Sequence, residues 1–186
     1  MENKKTNSFI TYEVSLYFEK DSELKIKNLI RQIADITQNF YRIEKEIPPH
    51  ITLGMFKASE NQEPSLIKIV QQFNSFFQNT FSQNEKEIII KDSNFFKRKI
   101  FYLQFQQNNN IISKLNELLH FEFLKDFSPA NNKMYLPSFF YPHCTIATGL
   151  SFSQIKLIND NKDKFSIPYS LFIDKISLAK NKSIIL

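Results

Sequence analysis

A short phrase occurs twice in this chain, and its duplication constrains the fold more than any other feature. Residues 48–54 read PPHITLG and residues 141–147 read YPHCTIA. Pro-His-x-Thr followed by an aliphatic residue therefore recurs 93 positions apart (143 − 50), in a sequence with only three histidines. On an extended strand, residues i and i+2 share a face. His50 and Thr52 then stand side by side with Ile51 and Leu53 opposite, and His143 and Thr145 do the same with Cys144 and Ile146 opposite. In each copy an imidazole and a hydroxyl share one surface, while the aliphatic residues anchor the strand from behind.

The flanking pattern repeats as well. Residues 9–18, FITYEVSLYF, alternate like a strand. A helix follows, with Ile26, Leu29, Ile30, Ile33, Ile36 and Phe40 at helical spacing behind an Asp21/Ser22 cap. HITLGMF is a short strand, and Pro64 opens a second helix striped by Leu66, Ile69, Val70, Phe73, Phe76 and Phe77. KEIIIKDSNFF and KIFYLQFQ read as strands around a basic turn, Lys97-Arg98-Lys99. Asn110 is expected to cap a third helix, and residues 126–141 read as a loop with Pro129 and Pro137. HCTIATG is a further short strand. Ser151 or Ser153 caps a short helix through Ile155 and Ile158, and a strand beyond Pro168 closes the chain. Several strands are joined by turns too short for parallel crossovers. The class is α+β: two similar lobes with antiparallel sheets and flanking helices, meeting at a central cleft. Residues 1–186 are expected to form one bilobal domain with an H-x-T motif in each half, at 50–53 and 143–146.

Composition narrows the setting. One cysteine, Cys144, forms no internal disulfide, no apolar run is long enough to cross a bilayer, and the N-terminus does not read as a signal peptide. A cytoplasmic protein without membrane association is expected. The net charge of +5 permits an anionic partner such as RNA, although only three of the 24 basic residues are arginines.

Two imidazoles and two hydroxyls converging across a cleft make a site for a phosphate. The hydroxyls donate to non-bridging oxygens, one neutral imidazole takes a proton, and an imidazolium gives one; histidine suits both tasks because its ordinary pKa lies near neutrality. No carboxylate cluster lies near either motif in sequence, so neither a metal nor a cofactor is expected.

The two motifs HITL and HCTI, the proline before each histidine, the opening strand YEVSLYF and the closing SLFIDKISLAKN together resemble the 2H phosphoesterase superfamily, which includes the bacterial 2′-5′ RNA ligase-like proteins and cyclic phosphodiesterases. The resemblance covers nearly the whole chain. It implies a bilobal, pseudo-twofold fold and metal-independent chemistry on RNA or nucleotide phosphodiesters, such as 2′,3′-cyclic phosphates or 2′-5′ linkages. It implies His50 as proton donor, His143 as proton acceptor, and Thr52 and Thr145 as phosphate-holding residues. No obligate protein partner is expected from the sequence. The chain departs from the ligase type at one place: the second motif there continues H-x-T-L-A-R, and Thr148 stands where the Arg would be. That change bears on a ligase reaction more than on membership. Two alternatives stay open: a 2′-5′ RNA ligase, and a catalytically idle RNA- or nucleotide-binding protein of the same fold.

The other conspicuous residues read as structural. His120 sits in the third helix without a matching partner. Cys144 faces away from His143 and reads as a small buried apolar residue. The Phe-rich stripes are core; Phe96, Tyr102, Phe140 and Tyr141 are the aromatic candidates for reaching the cleft and stacking on a base.

Overall fold

Ile10–Phe18 form strand β1 in the computed structural model, which describes residues 9–106, 110–130, 132–181 and 183–186. Helix α1, Lys20–Thr37, buries Ile26, Leu29, Ile30 and Ile33, as the helical period requires. Its start differs from the expected cap. Asp21 and Ser22 lie inside the first turn, and buried Ser22 accepts the Phe172 backbone N–H at 2.8 Å, tying the helix to the last long strand. The helix stops at Thr37, before Phe40, because Gln38 turns into the left-handed region at φ 55°. A one-turn helix, α2 (Tyr41–Glu44), leads into strand β2, His50–Ala58.

Helix α3, Glu63–Thr80, carries Pro64 in its first turn and buries Leu66, Val70, Phe73 and Phe77. Strands β3 (Glu87–Phe96) and β4 (Ile100–Phe105) form a hairpin, with Lys97 and Arg98 both at positive φ, 47° and 51°, as a type I′ turn demands. Helix α4, Asn110–Leu118, takes Asn110 into its first turn and passes into a π-turn at Leu119–Phe123. The segment read as a loop holds a two-residue strand, β5 (Ser128–Pro129), paired with β2, and two short 3-10 turns. Strand β6 is His143–Thr148. Helix α5, Phe152–Asp160, is capped by Ser151 in a capping box with Gln154. Strands β7 (Ser170–Lys180) and β8 (Ser183–Ile184) end the chain.

The protein is α+β, and the strand pairs among the described residues are antiparallel. Their order is β1-β2-β6-β4-β3-β7-β8, with β5 on β2 and a further pairing of β1 with β7. The path closes on itself as two three-stranded groups, β7-β1-β2 and β3-β4-β6, joined at two narrow seams. One seam is the pair Ile51–Cys144 between β2 and β6. The other is β7, whose start pairs with β3 through Ser170–Phe172 before the strand continues along β1. Helix α1 crosses between the groups, following β1 yet packing on β6 and α5, while α3 stays with its own group and packs on β7. The core between strands and helices includes Phe56, Phe73, Phe77, Phe101 and Phe105, all fully buried. Among the described residues no helix is long and apolar enough to cross a membrane.

Candidate active site

Each motif strand begins with the same local device. Proline has no N–H to give, and it holds the residue before it in extended backbone. In both copies the carbonyl two residues before the histidine turns back to the imidazole: Nδ1 of His50 lies 2.8 Å from the Pro48 oxygen, and Nδ1 of His143 lies 2.9 Å from the Tyr141 oxygen. A carbonyl only accepts, so each Nδ1 carries the hydrogen and each Nε2 is left to the site. This accounts physically for the Pro-His phrase.

The seam between β2 and β6 brings the motifs together. Ile51 and Cys144 are partners across it, both 0% exposed, and both face the core. Their strand neighbours point the other way. The antiparallel register through that pair sets Thr145 across from His50 and His143 across from Thr52. The four residues singled out in the sequence therefore occupy one surface as a diagonal square, on adjoining strands rather than on two opposed walls. The imidazoles are close enough for a charge on His50 to depress the pKa of His143.

Strand β1 completes the surface. Ser15 pairs with Thr52 and Tyr17 with His50, so Glu13, Ser15 and Tyr17 share the motif face. One oxygen of Glu13, Oε1, lies 3.2 Å from His50 Nε2 and accepts from Thr52 Oγ1 at 3.1 Å and Ser15 Oγ at 2.7 Å. Both ring nitrogens of His50 thus face oxygen acceptors. Burial works to raise the pKa of the Glu13 carboxyl, but the hydrogen bond and charge of His50, with Ser15 and Thr52 donating, outweigh it and hold it down to about 2. Burial and the Glu13 charge together keep the Tyr17 phenol protonated. Glu13 was not among the residues expected at the site. Its signal was the polar alternation Glu13-x-Ser15-x-Tyr17 inside an otherwise apolar strand.

His143 has different company. Phe96, Tyr102, Tyr135 and Tyr141 surround its ring at centroid distances of 4.9, 5.7, 6.3 and 6.5 Å. Burial lowers its pKa below the ordinary imidazole value, the nearby His50 charge adds to this, and the Tyr141 carbonyl and Glu13 oppose it without prevailing. With Nδ1 committed to a carbonyl, neutral His143 presents the lone pair of Nε2. Of the aromatic candidates, Phe96, Tyr102 and Tyr141 come to this ring, while Phe140 packs against the core. Tyr135 had no sequence signal. Its backbone oxygen accepts from the fully buried Asn116 amide at 2.9 Å, the same nitrogen that donates to the Leu53 carbonyl at 2.6 Å. Asn116 so pins the loop to β2, and the Tyr135 phenol reaches Thr52.

A cavity of about 250 Å³ opens beside the square, lined by Glu13, Tyr17, Arg42, His50, Thr145 and Thr148 among others. His143 is not part of that lining. Arg42, on α2, is buried and donates to the carbonyls of Ile47 and Pro48 at 3.4 and 3.3 Å. It bears on the same Pro48 oxygen that orients His50. Among the described residues no group of three or more His, Cys, Asp or Glu side chains is placed to hold a metal ion.

The residues read as structural lie elsewhere. His120 packs behind β2, its ring 4.8 Å from that of Phe56, and burial holds its imidazole below the ordinary value. A Cβ at Gly54 would meet Phe56 at 2.7 Å and His120 Nε2 at 3.0 Å, so glycine is what lets this layer close on the strand. Burial pushes the Cys144 thiol up to about 11, which keeps it a thiol rather than a nucleophile.

The family model of the 2′-5′ RNA ligase superfamily matches residues 23–182, a span that contains both motifs. No curated protein matches the chain.

Proposed function

The chain belongs to the 2′-5′ RNA ligase superfamily, which is the 2H phosphoesterase superfamily, and on that footing we propose that it is a cytoplasmic, metal-independent phosphodiesterase acting on RNA-type phosphodiesters. The observation that carries the reading is the diagonal square: two imidazoles, each with Nδ1 tied to a carbonyl, and two threonines on one face. His143 is the base. Its Nε2 takes a proton from water as the water oxygen bonds to phosphorus. His50 is the acid. The bond from phosphorus to the leaving ribose oxygen breaks, and that oxygen takes the Nε2 proton of His50. Thr52 and Thr145 hold the non-bridging oxygens, where hydrogen bonds strengthen as charge grows in the transition state. The reverse direction exchanges the two roles, so a 2′-5′ linkage made or broken at this site uses the same groups. Uncharged Thr148 on the cavity wall favours hydrolysis over ligation as the main reaction.

Support for an RNA-type substrate comes from the surroundings. Phe96 stacks on Tyr102 at 4.0 Å beside His143, and the exposed Lys97-Arg98-Lys99 turn follows it directly, so an aromatic platform adjoins a basic rim. The test is a substrate panel in EDTA: 2′,3′-cyclic nucleotides, RNA ending in a cyclic phosphate, and 2′-5′-linked oligonucleotides. Turnover of at least one is expected. Tight binding with no turnover would support the idle binding protein, and full loss in EDTA restored by a divalent ion would require a different mechanism.

A further inference from the structure

Glu13 stands where a substrate anion would be held. Two of the three donors converging on its Oε1, His50 Nε2 and Thr52 Oγ1, are groups that the phosphoesterase reading assigns to the reacting phosphate. The third, Ser15 Oγ, belongs to a residue 0% exposed and fixes the carboxylate from below. Resting on that reading, we propose that Glu13 is a specificity-determining residue: a resident anion that admits singly charged phosphodiesters and turns away doubly charged phosphomonoesters.

The argument is one of charge and place. A phosphate oxygen bonded to Thr52 Oγ1 or His50 Nε2 must sit within a few ångströms of the carboxylate that bonds the same atoms. In the acid form that the phosphodiesterase reading requires, His50 brings one positive charge against the one negative charge of Glu13. The Arg42 guanidinium, on the same cavity wall, adds a second positive charge; its Nη2 donates to the Ile47 and Pro48 carbonyls, which are neutral and leave that charge in place. These groups together leave one net positive charge, which a diester monoanion balances. A monoester carries a second negative charge at neutral pH and above, and that charge meets the carboxylate with no further cation among the described residues of the cavity wall to offset it. In a partly buried site such repulsion is strong. Hydrolysis of a cyclic diester creates this kind of monoester, so the residue that admits the substrate also helps the product leave.

The experiment compares two ligands that lack the 2′-hydroxyl and differ by one charge: a 2′-deoxynucleoside 3′-(methyl phosphate) and the corresponding 3′-phosphate, titrated by calorimetry at pH 8. The wild type is expected to prefer the diester by roughly tenfold or more, and Glu13→Gln to bring the two within about threefold, chiefly by binding the monoester more tightly. Ser15→Ala disturbs the same cluster but keeps the charge, so it should retain the preference. Thermal unfolding checks each variant, and Glu13→Ala replaces Glu13→Gln if the latter does not fold. An unchanged ratio in the charge-removing variant overturns the inference, as does equal loss of both ligands or collapse of the preference in Ser15→Ala. A wild type that binds both ligands alike sinks this inference alone, whereas one that binds neither sinks the phosphodiesterase reading with it.

Discussion

His50 and His143 begin strands of the same phrase and are clamped the same way through Nδ1, yet a carboxylate lies against Nε2 of one while four aromatic rings crowd the other. Around His50 stand Glu13, the Tyr17 ring at 5.8 Å and, behind the Pro48 carbonyl, Arg42. Around His143 stand Phe96, Tyr102, Tyr135 and Tyr141. Burial in that aromatic cage disfavours a proton on His143, whereas Nε2 of His50 lies against a carboxylate oxygen. The lesson is that a duplicated motif supplies two equivalent imidazoles, and the neighbours make them unequal. The proposed acid and base roles rest on that inequality.

The strongest way to break the comparison is to remove each histidine. His50→Ala and His143→Ala should each lower turnover by ~10²–10⁴-fold, the usual worth of general acid–base catalysis, and the double variant should fall short of the product of the two losses. His120→Ala, behind β2, should stay near wild type. Equal activity in all three, with folding confirmed by circular dichroism, would remove both roles. The pH dependence of kcat/KM should be bell-shaped. Its acid limb should fall below pH 6.5, because the base must be neutral and the pKa of His143 is depressed from that value; activity is lost as pH drops through it.

The hydroxyls come next. Thr52→Ala and Thr145→Ala should each slow turnover by ~10–100-fold, as each removes one donor to the phosphate. Steady-state kinetics should show the loss in kcat rather than in KM alone, and a change confined to KM would place the threonines in ground-state binding.

Glu13 sharpens the contrast through stability. Its folded pKa of about 2 lies below the ordinary 4.5, so its contribution is full above pH 4.5 and lost as pH falls towards 2. Denaturant titrations across that window should show a loss of about 2 kcal/mol in the wild type that is absent from Glu13→Gln. Parallel decline in the two proteins would mean that the carboxylate is not held by His50, Thr52 and Ser15 in solution.

The smallest effect is expected at the basic rim beside His143. Neutralising Lys97, Arg98 and Lys99 together should weaken a single-stranded RNA ligand by less than about tenfold at moderate salt. It should make the slope of log affinity against log salt shallower by about 2, and leave a cyclic mononucleotide nearly unaffected. An equal loss for the mononucleotide would put the turn inside the site rather than at its rim.

Most of the elements were legible along the chain because their signals are local. Ile26, Leu29, Ile30 and Ile33 report a helix by spacing, and His50-x-Thr52 reports a shared face by alternation. The misses have physical reasons too. Ser22 looked like a cap, but the incoming β7 backbone gave its hydroxyl a better use. Segment 126–141 looked like plain loop, since nothing in Asn116, in the middle of a helix, says that its amide will reach the Leu53 and Tyr135 carbonyls.

Taken alone, the sequence determined the α+β class, the duplicated strand, and the four side chains that share its outward face, because period and alternation are properties of neighbouring residues. Tertiary structure decided which strands meet, and with that everything that distinguishes the two histidines. Glu13 is 37 positions from His50 (50 − 13) and Tyr135 is 83 from Thr52 (135 − 52), so no local pattern couples them. They come into contact through the pairing of β1 with β2 and the pinning of a loop by Asn116. Charge and burial around an imidazole are sums over such distant neighbours, and only the folded chain brings them within range.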